Sequence, residues 1–214
     1  MDYGLSMIVI IDYGMGNLRS VSKALESLGA AVCVSSDPRE VERAKKLVLP
    51  GVGAFPAAMR ELSSRALVDP IKAAIAKGTP YLGICLGLQL LFERSEEGEG
   101  AAGLGVLKGV VKRFASSKLK IPHMGWNQIV RPQQAASRKQ ADCPLLNGVH
   151  DQSFVYFVHS YYGQPADSSL IALETEYGTQ FASMVWRNHL FATQFHPEKS
   201  QAIGLRLLKN FIDL

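Results

Sequence analysis

A thiol, an imidazole and a carboxylate occur in this chain where local geometry favours reactivity. Cys85 lies in Gly83-Ile84-Cys85-Leu86-Gly87, between the apolar run Tyr81 to Ile84 and the helix-like run Leu86 to Phe92. A sharp strand-to-helix turn lifts a side chain clear of its sheet, flanking glycines let backbone pass closely, and the free amides of a helix start favour a thiolate. Far downstream, His196-Pro197-Glu198 offers a base and an orienting carboxylate. Alternate residues of an extended segment project to one side, so ring and carboxylate are expected side by side, with Pro197 stiffening the link. An imidazole can take the thiol's proton and later return it to a departing amine, which is the chemistry of acyl transfer.

Each residue alone has a blander reading: a lone cysteine is usually inert packing, a single histidine a satisfied core or loop residue, and a glutamate a solvated charge. The joint spacing carries the information. The other histidines, His123, His150, His159 and His189, have no carboxylate two residues away on a strand. The tetrahedral intermediate of acyl transfer needs amide donors. Gly51, Val52 and Gly53, in Pro50-Gly51-Val52-Gly53 after a buried strand, suit one of them, and the Leu86 amide the other. Pro-Gly also marks ordinary turns, but open α/β sheets gather their sites at this edge. Gly14-Met15-Gly16 lacks the longer nucleotide fingerprint and is set aside.

These groups need a scaffold. Met7 to Ile11, Val32 to Ser35, Leu47 to Leu49 and Tyr81 to Ile84 read as short buried strands, and Leu18 to Leu28 as a helix. A second helix is expected to start at Asp69-Pro70, with Asp as cap, and to end at Gly78. Beyond Gly98 come closely spaced strands: Val106 to Phe114, Gln128 to Arg131, Val155 to Tyr161, Leu170 to Leu173, Ala182 to Trp186 and Leu190 to Phe195. Arg187-Asn188-His189 turns between the last two, and Ser200 to Leu214 closes the chain as a helix with Ile203, Leu207, Leu208 and Phe211 on one stripe. The fold class is therefore α/β: three layers, a mostly parallel sheet flanked by helices, with an antiparallel extension in the C-terminal half.

With 214 residues, 47% of them hydrophobic and 20% charged, a single domain over 1–214 with one continuous core is expected. The net charge of +4 is scattered, with only a loose concentration from Lys108 to Lys120 and no groove-reading basic helix, which argues against nucleic acid. Cys33, Cys85 and Cys143 are odd in number and lack the short pairs of metal or disulfide frameworks, so a reducing setting is expected, cytosolic or, with an undetected address, organellar, with Cys33 and Cys143 as packing. The apolar stretch at the start is too short to span a bilayer.

Together these residues resemble the triad-type glutamine amidotransferases, whose Cys-His-Glu motifs match Gly83 to Gly87 and His196 to Glu198. Three further segments, Ile11 to Leu18, Pro50 to Phe55 and Pro122-His123-Met124-Gly125-Trp126-Asn127, resemble the glutaminase subunits of imidazole glycerol phosphate synthase, over essentially the whole chain. The resemblance implies hydrolysis of L-glutamine to glutamate, with ammonia passed to a (β/α)8-barrel cyclase subunit in histidine biosynthesis, and no metal or organic cofactor. By position it implies Cys85, His196 and Glu198 as the triad, and Gln89, Glu97, His159, Ser160 and Tyr161 around the substrate. It also implies the Val52 amide in the oxyanion site and Asn17, Met124 and Trp126 facing the barrel. Read alone, Glu97 is also an exposed member of an acidic pair and Trp126 also a core residue. The extra residues before Met7 and the polar stretch Gln133 to Gln140 depart from the family without touching a motif. Rival readings are a glutaminase serving a pyridoxal phosphate or anthranilate synthase, and a silent adaptor that keeps only the docking surface.

Overall fold

The computed structural model describes residues 7–115, 119–132 and 143–214; the residues ahead of Met7 and the stretch Gln133 to Gln140 lie outside them. Strand β1 (Ile8–Ile11) is buried along its whole length. Successive strand side chains point to opposite faces, so β1 feeds two cores. Ile8 and Ile10 join Val21 and Leu25 of α1 (Leu18–Ser27) and Leu207, Leu208 and Phe211 of α6 (Gln201–Ile212). Val9 and Ile11 join Val41 of α2 (Pro38–Arg43), Phe55 and Leu62 of α3 (Phe55–Ser64) and Ile71 of α4 (Val68–Ala76). A run hydrophobic on both sides thus becomes the middle of three layers.

The main sheet joins β1 to β2 (Val32–Ser35), β3 (Lys46–Gly51), β4 (Tyr81–Cys85), β11 (Ile171–Glu176), β12 (Gln180–Arg187) and β13 (Leu190–Thr193). Their order across it is β11-β12-β13-β4-β3-β1-β2. The five strands from β13 to β2 are parallel, and β11 and β12 extend one edge antiparallel. The remaining strands leave this sheet. β5 (Phe92–Ser95), β6 (Ala101–Ala102), β7 (Leu107–Arg113) and β10 (Tyr161–Pro165) form a four-stranded sheet, and β8 (His123–Gln128) pairs with β9 (Phe154–His159) as a ribbon. Among the described residues no helix is long and apolar enough to cross a membrane.

Several elements differ from expectation for identifiable reasons. The helix after Cys85 stops at Gln89 (α5, Leu86–Gln89), and Phe92 opens a strand. The run Leu86 to Phe92 is buried all round, and such a run carries no periodicity to separate helix from strand. Helix α4 begins at Val68 with Leu67 as its cap residue, so Asp69 sits in the first turn, where its charge suits the helix dipole, and is not the cap. The strand expected over Gln128 to Arg131 is a single bridge, Val130 to Glu174; the true strand is β8 just before it. Val155 to Tyr161 is two strands, broken at Ser160, which carries the chain from the ribbon to the second sheet. Helices α2 and α3 have no counterpart among the sequence expectations, although Asp37 caps α2 and Pro38 opens it.

Candidate active site

Cys85 ends β4 with φ 55° and ψ −105°, a conformation L-residues avoid, so the surrounding packing must hold it there. The glycines show how. A Cβ on Gly87 would stand 1.9 Å from the Leu49 carbonyl oxygen and one on Gly83 2.6 Å from the Gly87 oxygen, so strand, turn and α5 close together only without side chains. Cys85 is 6% exposed. Cys143, by contrast, is buried in the core, where burial pushes its thiol up to about 12, the state of an inert packing cysteine.

The chain brings His196 and Glu198 together by a route other than the extended one expected. Pro197–Lys199 is a 3-10 turn with His196 as its cap residue, and His196 Nδ1 lies 2.9 Å from Glu198 Oε1. Pro197 presets the turn, and Ser200 Oγ closes it on the His196 carbonyl at 2.6 Å. Both side chains are buried, at 3% and 1% exposure. The other ring nitrogen, Nε2, has no conventional hydrogen-bond partner and is left to the Cys85 sulfur. Burial works to lower the His196 pKa; Cys85 and Glu198 outweigh it and push the value up to about 10, so the imidazolium is favoured.

Gly51 ends β3 in direct register with Cys85, and Val52 follows, 41% exposed. Gly53 has φ +100°, a left-handed conformation that glycine takes without strain. Leu86 is the first residue of α5, immediately after the sulfur-bearing residue. Beneath this strand lies a residue that sequence reasoning passed over. The Tyr13 hydroxyl is buried, a Cβ on Gly51 would stand 2.6 Å from it, and burial first, then the Cys85 charge, raises its pKa.

The residues expected around a substrate are mostly engaged within the protein. Gln89 is buried and its Nε2 donates to the Tyr161 carbonyl at 2.8 Å and to Gln194 Oε1 at 3.2 Å. Glu97 Oε2 accepts from the Phe55 amide at 2.8 Å, serving the start of α3, whose own cap residue, Ala54, offers no side-chain bond. His159 has Nδ1 2.8 Å from the Tyr161 carbonyl and Nε2 3.0 Å from His123 Nδ1, so both ring nitrogens are taken. Ser160 sits at the corner between β9 and β10, and Tyr161 opens β10 half-buried.

Two further residues to which the sequence assigned no site role, His123 and Gln194, stand close by. His123 continues the chain from His159 to Asn127 Nδ2 at 3.2 Å, and Asn127 also donates to the Glu176 carbonyl at 2.9 Å. Gln194 Nε2 approaches Cys85 Sγ at 3.6 Å. A buried glutamine in the apolar run Leu190 to Phe195 was the available signal, since such a group must find partners.

On the ribbon's outer face Met124 is 63% exposed and Trp126 45%, which ends the core reading of Trp126. Trp126 stacks edge-on to Tyr156 across the ribbon, and with Ser153, Phe154 and Gln201 it lines a shallow cavity. Asn17 is half-buried and caps α1, its Oδ1 accepting from the Ser20 amide at 3.4 Å.

The family model described as glutamine amidotransferase class-I matches residues 9–214. The imidazole glycerol phosphate synthase subunit HisH of Syntrophotalea carbinolica is 51% identical, over 97% of this chain and 100% of the relative. That of Bacillus cereus is 51% identical over 96% and 93%, and that of Geobacter sulfurreducens 48% over 97% and 98%. Among solved structures, PurLQS from Thermotoga maritima superposes with a TM-score of 0.73 at 16% identity, covering 98% of both chains. A GMP synthase subunit from Thermoplasma acidophilum does so at 0.69 and 20%, covering 99% of this chain and 94% of that one. These distant structures share the fold, while the near relatives narrow the family. The chain belongs to the class-I glutamine amidotransferase family, in the branch formed by the HisH subunits of imidazole glycerol phosphate synthase.

Proposed function

We propose that this chain hydrolyses L-glutamine to glutamate and ammonia as the glutaminase subunit of imidazole glycerol phosphate synthase, in histidine biosynthesis. The observation that carries the reading is the sulfur of Cys85, on a strained turn, beside an imidazole whose far nitrogen is bonded to Glu198. In this reading the Cys85 thiolate attacks the carboxamide carbon. The oxyanion of the tetrahedral intermediate is received by the amides of Val52 and Leu86, a role that the register of Gly51 with Cys85 supports. His196 passes its proton to the departing nitrogen, the carbon–nitrogen bond breaks, and ammonia leaves a γ-glutamyl thioester. Neutral His196 then takes a proton from water, the hydroxide attacks the thioester, and glutamate and the thiolate are released as the ring is reprotonated.

Ammonia is useful only unprotonated, so it should pass directly to a (β/α)8-barrel cyclase partner in a heterodimer. Exposed Met124 and Trp126, together with Asn17, are the proposed docking residues. The left-handed φ of Gly53 supports a Val52 peptide that reorients at little cost when the partner binds. Half-identity to HisH sequences over nearly full length weighs against a glutaminase of another synthase. The test is the loaded heterodimer: Cys85→Ala should abolish glutamine-dependent synthesis and leave ammonia-dependent synthesis intact. Loss of both would point to a docking role without glutaminase chemistry, and glutamine hydrolysis as fast in the free chain as in the loaded complex would overturn the reorientation.

A further inference from the structure

One backbone carbonyl, that of Tyr161, settles the orientation of two buried side-chain amides. A carbonyl can only accept, so the Gln89 atom 2.8 Å from it is the nitrogen. The second hydrogen of that nitrogen points to Gln194 at 3.2 Å and needs an acceptor, which makes the facing atom Gln194 Oε1. Gln194 then has only its own NH2 to present on its other side, where Cys85 Sγ stands 3.6 Å away. Gln194 is 0% exposed, and its backbone is tied by its amide to the Ser183 carbonyl at 2.9 Å. The amide therefore cannot swing away to water.

We propose that Gln194 holds the Cys85 sulfur as a thiolate by donating a hydrogen bond to it, and that Gln89 is the positioning residue that keeps this amide facing the sulfur. The inference rests on Cys85 being the nucleophile and adds a donor to it. A buried thiolate has lost its water, and hydrogen bonds to the charged form favour that form. His196 supplies one neighbour from two residues further along, so Gln194 and His196 flank the sulfur from a single short stretch. Both hydrogens of the Gln89 amide are used inside the protein. Its effect on the sulfur passes through Gln194, while its Oε1 takes no part in these bonds.

The thiolate fraction of Cys85 reads this out without any turnover. In the full chain, the rate of iodoacetamide alkylation is followed against pH by peptide mass spectrometry, which scores Cys33 and Cys143 separately. Gln194→Met keeps the bulk and removes the donor; its alkylation midpoint should rise by about one to two pH units, with ~10- to 100-fold slower alkylation below the wild-type midpoint. Gln89→Met should raise it by less, because Gln194 is retained but free to turn. A folded Gln194→Met with a midpoint within about 0.3 unit of wild type overturns the proposal. If Gln194→Met fails to fold, Gln194→Leu, which also removes the donor without adding charge, takes its place, and an unchanged midpoint there is equally fatal. A wild-type heterodimer that releases no glutamate would instead sink the glutaminase reading, whatever the alkylation profile.

Discussion

Two pairs of buried residues built around histidine lie close together and titrate in opposite directions. His196, with Glu198, is pushed up to about 10, while His123 and His159 are pushed down to about 4 and about 3. Burial acts the same way on all three rings, against the cation. The difference lies in the company. His196 faces a carboxylate and a sulfur, whereas His159 and His123 face a backbone carbonyl, each other and an amide. The Tyr161 carbonyl forces a proton onto His159 Nδ1, so Nε2 accepts from His123 Nδ1, whose Nε2 accepts from Asn127. Every bond in that chain is satisfied with both rings neutral. Anionic neighbours make a proton carrier; neutral ones make a rigid strut between the ribbon and the site.

The largest effect should come from making the first pair resemble the second. Glu198→Gln removes the anion while keeping the shape; kcat/KM for glutamine in the heterodimer should fall by about 10^3-fold or more. The His196 ring should then lose its proton at lower pH in an NMR titration. A variant with wild-type turnover would mean that the carboxylate is not what distinguishes the pairs.

Acid should act through the second pair. Between about pH 6.5 and the folded values the unfolded chain protonates each ring and the native one does not, so stability falls as pH drops, by up to ~1.4 kcal/mol per pH unit for each histidine. The slope ends near pH 4 for His123 and near pH 3 for His159. His196 has the reverse sign: its contribution is complete below about 6.5 and is lost as pH rises through about 10. Urea denaturation across pH tests both limbs.

His123→Phe sharpens this further. It leaves His159 Nε2 without its donor, which should cost about 1–3 kcal/mol, and it should remove one histidine's share of the acid slope. An unchanged slope would show that His123 is not held neutral.

The smallest effect is expected away from both pairs. Glu97→Gln keeps an acceptor for the Phe55 amide but loses the charge at the start of α3, so thermal unfolding should shift by about 1 kcal/mol or less. A large loss of glutamine affinity with that small loss of stability would place Glu97 on the substrate side of the site.

Much was legible in the chain itself. Strand β1 is a continuous apolar run because both its faces are covered, and Gly83 and Gly87 stand where strand, turn and α5 leave no room for a side chain. The His196 to Glu198 spacing survived even though the backbone there is a 3-10 turn, because a residue and its second neighbour can meet in either geometry. Where α5 ends was not legible, since an all-apolar run has no face. Nor was the choice among histidines by environment, because partners decide it and the partners are remote. Gln194 reaches Cys85 across 109 residues of chain and Gln89 reaches Tyr161 across 72. Local propensity does not reach across such separations. Residue types and short spacings set which chemistry was available; closure of the sheet decided which groups touch, and with that which rings carry charge and which amide meets the sulfur.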